Sequence, residues 1–220
     1  MAAPTPAAPL SVDRSQTWWA RVLRLGFAAL GLTALILVPI ESWDNPGFTL
    51  ADYFSYFTIL SNVAAVIVLL VGAIAAPAGA GWQWLRGAVT TAMVITGIVY
   101  ALLLANVDVN LNIEWINGVL HRTMPIVLLV DWIVFRPRFL PDRSWLTWLA
   151  LPLVYGVYTL IRGPFVDWYP YPFIDPRGQG YLSMTLSLIV VFAGMALMAF
   201  GVYWLGARSP TPAPPHGNRG

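Results

Sequence analysis

Long apolar stretches dominate the chain, broken only by short polar punctuation. Six of them have roughly the 20 residues needed to cross a hydrocarbon core about 30 Å thick: 18–40, 53–76, 82–105, 115–135, 145–162 and 181–205. The fifth is the most diluted, by Pro152, Tyr155, Tyr158 and Arg162. This pattern predicts an all-α integral membrane protein, a bundle of six transmembrane helices over residues 18–205. The flanking tails, 1–17 and 206–220, are rich in Pro and small residues, which predicts disorder. The first tail does not read as a cleavable signal peptide. Its charged stretch from Arg14 to Arg24 is long, and the apolar run behind it lacks a small-residue cleavage site. No internal repeat stands out, which argues against an inverted-repeat transporter.

Composition agrees. Of 220 residues, 58% are apolar and 10% charged, with a mean hydropathy of +0.69; a water-soluble domain of this size needs far more charge to cover itself. Eleven Trp suit membrane–water interfaces. The absence of Cys rules out disulfides and thiolate metal sites. With one imidazole inside the apolar stretches, the usual zinc set of three or four N/S ligands cannot form either. No metal, no cofactor and no nucleic-acid partner is expected, and the oligomeric state is open.

Charge placement sets the expected orientation. Arg14, Arg21, Arg24, Arg86, Arg136, Arg138, Arg143, Arg208 and Arg219 fall on one side of the six stretches. The opposite loops hold Arg162 and Arg177 but carry Glu41, Asp44, Asp52, Asp108, Glu114, Asp167 and Asp175. The arginine-rich side, with both termini, is therefore expected in the cytoplasm. The remaining arginine, Arg122, lies inside the fourth stretch.

Polar groups in hydrocarbon are costly and need a partner or a task. In the second stretch, YFSYFTILSN, the spacing puts Ser55, Thr58 and Asn62 on one helical face. In the fourth, EWINGVLHRTMPIVLLVDW, Asn117 and His121 are one turn apart. Both stretches start on the outer side, so at 1.5 Å per residue Thr58 lies about 8 Å in and His121 about 9 Å in. A hydroxyl and the one embedded imidazole thus share a level of the bilayer. Pro125 lacks the N–H that would bond the carbonyl of His121, predicting a kink beside the ring. Plainer readings exist: a membrane Thr commonly bonds its own i−4 carbonyl, here Phe54, and a lone His can simply bridge two helices. Asp131, about 15 Å along the helix from His121, is too far to orient it and is expected to pair with Arg136 or Arg138. The last outer loop, RGPFVDWYPYPFIDPRGQGY from Arg162 to Tyr181, reads as an interfacial aromatic belt or as a rigid lid from which Asp167 or Asp175 reaches His121.

The segments YFTILSN, NGVLHRTMPIVLLVDW and WYPYPFIDPRGQGY resemble those of the bacterial Pr6Pr family of six-helix membrane proteins. More distantly, residues 18–205 are similar to the eukaryotic androgen-induced and androgen-dependent proteins of the FAR-17a type. That resemblance implies a bacterial plasma membrane and an intramembrane threonine hydrolase that cleaves fatty acid esters of hydroxy fatty acids. It aligns Thr58 with the nucleophile and His121, before Pro125, with the base. The WYPYPF segment has no counterpart that can be matched residue by residue in the eukaryotic enzymes.

Two functions therefore stand at this point. One is a lipid-ester hydrolase in which His121 takes the proton of Thr58, with Ser55, Asn62, Asn117 and Arg122 as substrate-binding groups or oxyanion donors and Asp167 or Asp175 as lid acids. The other is a non-enzymatic transporter, receptor or envelope-assembly helper that holds an amphiphilic ligand with the same polar groups. Membrane lipid is the partner in either case.

Overall fold

The computed structural model describes residues 17–104, 114–137 and 139–207. The tails before residue 17 and after residue 207, with Arg14, Arg208 and Arg219, lie outside the described residues, as do Asp108 and Arg138.

Regular structure among the described residues is all helical. Five helices are long and apolar enough to cross a membrane: Trp18–Ser42, Phe57–Ile74, Ala80–Leu104, Ser144–Val166 and Pro176–Ala207. In chain order the elements are α1 (Trp18–Ser42), α2 (Leu50–Tyr53), α3 (Phe57–Ile74), α4 (Ala80–Val99, continued by a π turn Tyr100–Leu104), α5 (Glu114–Gly118), a π turn Val119–Thr123, α6 (Met124–Val134), α7 (Ser144–Trp148), α8 (Ala150–Val166) and α9 (Pro176–Ala207).

The fourth expected span is thus a rod in three pieces. Pro125 leaves the carbonyl of His121 without its usual donor, and the hydrogen bonding slips by one residue around it: Met124 N–H donates to Val119 O, an i→i−5 bond. Gly97 of α4 lets the two helices close on this turn. A Cβ there would stand 3.0 Å from Pro125 and 3.4 Å from the His121 carbonyl oxygen.

The second expected span also differs. The sequence predicts one helix from Tyr53, with Ser55, Thr58 and Asn62 on a shared face, but α2 ends at Tyr53 and α3 starts only at Phe57. Ser55 Oγ bonds the carbonyl of Ala51 four residues back at 2.6 Å, Tyr56 turns extended (φ −81°, ψ 131°), and Thr58 falls in the first turn of α3. Such back-bonding by a short hydroxyl competes with helix continuation.

The main core lies between α1, α3, α4 and the α5–α6 rod, where Ala28, Leu69, Met93, Leu120, Met124 and Leu128 are buried. At one end of this bundle a buried ion cluster ties four helices together. Asp131 on α6 accepts from Arg24 Nε of α1 at 2.6 Å and from Arg86 Nη2 of α4 at 2.8 Å. Arg24 also donates to Gly72 O at the end of α3, and Arg86 to Phe135 O. Asp131, expected to pair with Arg136 or Arg138, thus holds two distant partners, one on each carboxylate oxygen; Arg138 lies outside the described residues.

Candidate functional site

The opposite end of the bundle brings the first turn of α3 against the π turn of the rod. There Thr58 Oγ1 and His121 Nε2 lie 3.2 Å apart, and both residues are buried. Asn62, one turn further along α3, braces this contact: its Nδ2 donates to Thr58 O at 2.8 Å and across the interface to Leu120 O at 3.1 Å.

The imidazole has its other nitrogen, Nδ1, 3.3 Å from the main-chain carbonyl of Asn117. A carbonyl only accepts, so the proton of a neutral ring sits on Nδ1 and the Nε2 lone pair faces the Thr58 hydroxyl. Tyr100 of the α4 π turn stacks on the ring, centroids 4.1 Å apart and planes 22° from parallel. The Tyr100 hydroxyl in turn accepts from Asn117 Nδ2 at 2.8 Å. The ring is thus held by main chain and aromatic stacking.

Two cavities meet at this pair. A vestibule of about 380 Å³ is lined by polar and aromatic residues, including Asn45, Asp52, Tyr56, His121 and Trp168. A second chamber, of about 700 Å³, is almost wholly apolar and lies between α4, α8 and α9, with Ile95, Leu153, Val157, Leu188 and Ile189 in its wall. Leu153 and Val157 on α8 and Ile189 on α9 are exposed, so the chamber is open rather than sealed. Thr58, Leu104 and Tyr171 line both cavities.

The segment between α8 and α9 covers the vestibule with aromatics rather than acids. Trp168 and Tyr171 both pack edge-on against Tyr56, and Arg162 fastens the base of the cover to Asp52 at 2.6 Å. Asp167 and Asp175, expected to reach His121, both hold Arg177, at 2.7 Å each. They serve the fold of the cover, because their oxygens are drawn to the guanidinium and the imidazole is already bonded to Asn117. The Arg177 side chain beside Asp175 holds that carboxyl below its ordinary value.

Of the other residues picked out in sequence, Ser55 lines a separate small recess with Tyr158 and Arg162 and bonds the Tyr158 hydroxyl at 2.9 Å. Arg122, next to His121 in sequence, is exposed. Tyr100 and Tyr171 were not singled out as site residues. Tyr100 sits in the middle of the apolar run 97–105, and Tyr171 is one of several aromatics in a segment that reads as an interfacial belt. The chain matches no family model, no curated protein and no solved structure among those compared.

Proposed function

We propose that this chain is a six-span membrane protein with cytoplasmic termini, the α5–α6 rod being the sixth span, and that it hydrolyses an amphiphilic lipid ester with Thr58 as nucleophile and His121 as base. One observation carries the reading: a threonine hydroxyl 3.2 Å from an imidazole lone pair, with Thr58 lining both a polar vestibule and an apolar chamber. A helix-bridging His–Thr pair has no need of a cavity on either side. Kinship with the Pr6Pr family, and more distantly with FAR-17a-type threonine hydrolases, belongs to the same proposal. So do the bacterial plasma membrane and the substrate class, fatty acid esters of hydroxy fatty acids or similar.

In this mechanism Thr58 Oγ1 attacks the ester carbonyl while its proton passes to His121 Nε2. The carbonyl electron pair moves onto its oxygen, then returns as the C–O bond to the alcohol breaks, and His121 gives the proton to the departing alkoxide. Water then attacks acyl-Thr58 with His121 again taking a proton, and Thr58 leaves with the proton restored. The acyl chain fits the apolar chamber, and the vestibule gives water its route.

Purified wild type should react with an alkyl fluorophosphonate, and Thr58→Ala and His121→Ala should both abolish labelling while remaining folded. A folded wild type that neither labels nor cleaves a 4-nitrophenyl acyl ester would instead favour ligand binding without catalysis.

A further inference from the structure

The tetrahedral species formed at Thr58 carries an oxyanion, which needs donors aimed at it. The groups that sequence suggested for this task are committed elsewhere. Asn62 Nδ2 serves two carbonyls, Asn117 Nδ2 serves the Tyr100 hydroxyl, Ser55 bonds Ala51 and Tyr158, and Arg122 is exposed.

Two other donors sit beside the nucleophile. Because α3 starts at Phe57, the N–H of Thr58 has no acceptor within its own helix; it points instead at the hydroxyl of Tyr171, 3.4 Å away. Tyr171 is 7% exposed. Its ring is fixed by parallel stacking on Phe173 at 5.3 Å and by edge contact with Tyr56 at 6.0 Å. Tyr171 lines both cavities, as Thr58 does, so its hydroxyl stands beside the nucleophile at their seam.

We propose that Tyr171 is a catalytic residue that, together with the main-chain N–H of Thr58, donates to the ester carbonyl oxygen as it becomes an oxyanion. This rests on the hydrolase reading above. Productive donors lie about 2.7–3.1 Å from the oxyanion, and two donors 3.4 Å apart leave positions at that distance from both. The long bond between them is what an entering oxygen replaces: the N–H turns from the phenol oxygen to the substrate, and the phenol O–H, whose neighbours include the Thr58 and Tyr155 side chains, turns to donate to the same atom. Burial pushes the Tyr171 phenol above its ordinary value, so its proton is retained at neutral pH. A nucleophile's own N–H commonly serves as one oxyanion donor in serine hydrolases; here the second comes from a loop that closes over the site.

The test uses full-length protein in detergent and 4-nitrophenyl octanoate. Tyr171→Phe keeps the ring and its stacking, and should lower kcat about 10²–10³-fold, the loss for one oxyanion donor, with KM and thermal midpoint near wild type. A Tyr171→Phe protein with undiminished kcat overturns the proposal. Should that variant misfold, 3-fluorotyrosine at position 171 keeps both shape and hydroxyl. Its fluorine resonance must then move when the fluorophosphonate adduct forms, since the phosphoryl oxygen occupies the oxyanion position; an unmoved resonance also overturns it. If wild type neither turns over nor labels, the hydrolase reading itself fails. If wild type is active and only Tyr171→Phe is innocent, that reading stands without Tyr171.

Discussion

The two ends of the bundle each bury polar chemistry, and they do it in opposite ways. At one end Asp131 is saturated by Arg24 and Arg86 at 2.6 and 2.8 Å, with the arginines also serving carbonyls and lying over the Phe135 and Trp132 rings. At the other, Thr58 and His121 meet at 3.2 Å, Thr58 N–H and Tyr171 at 3.4 Å, and two cavities adjoin them. Short ion pairs that bridge α1, α4 and α6 hold these helices together. Longer contacts beside open volume leave room for a further molecule. Burial of a polar side chain alone does not distinguish the two; the length of its contacts does, and at the Thr58 end so does the volume beside them.

Substitutions at the two ends should separate accordingly. His121→Ala should reduce ester turnover by about 10²–10⁴-fold, the range for losing a general base, with the melting midpoint little changed. A large drop in midpoint instead would make His121 a bracket like Asp131. Conversely, Asp131→Ala leaves two buried guanidinium groups without their carboxylate and should cost about 3–5 kcal/mol of stability, read as lost yield of monodisperse protein and a lower midpoint. Turnover per folded molecule should survive.

Two glycines probe the same contrast more gently. An added methyl at Gly87, beside Arg86, would overlap the Trp148 ring, so Gly87→Ala should destabilise by about 1–3 kcal/mol. At Gly97 the added methyl only crowds Pro125 and the His121 carbonyl. Gly97→Ala should therefore cost less than about 1 kcal/mol yet lower turnover about tenfold by displacing the imidazole. Equal effects of the two on stability and rate would erase the distinction drawn here.

The smallest effect concerns the aromatic cover. Arg177 holds the Asp175 carboxyl below its ordinary value of about 3.9. The tether is therefore complete above that pH and is lost as pH falls through the depressed value. Hydrogen exchange of residues 168–177 should accelerate slightly under such acid conditions, and at neutral pH in Arg177→Ala. A cover equally protected in both cases would mean the aromatic contacts alone keep it shut.

Much of this was legible in sequence for physical reasons. Hydropathy marks helices because the bilayer demands about 20 apolar residues per crossing, and each of the five long helices overlaps an expected stretch. Thr58 and His121 could be brought to one level from where their two stretches begin, although the count of rise per residue assumed a helix unbroken from Tyr53, and the helix restarts only at Phe57. Pro125 announced the disturbed turn because a missing N–H is a covalent fact. What escaped were contacts that only packing creates. Asp131 finds Arg24 from 107 residues away, whereas local sequence offered Arg136 and Arg138. Ser55 looked like a partner of Thr58 because nothing in YFSYFTILSN signals that the chain breaks at Tyr56. Tyr171 was indistinguishable from its aromatic neighbours until the loop folded inward.

The seam shared by the two cavities has a consequence for what leaves the protein. An ester cut at Thr58 is severed where a watery compartment borders an oily one, so its fragments start out on different sides of the break. In the proposed reaction the acyl fragment starts in the apolar chamber and the hydroxy fatty acid on the other side of Thr58. Both carry an apolar chain, so it is their point of departure at the seam, and not their solubility, that keeps the new acid and the new hydroxyl apart.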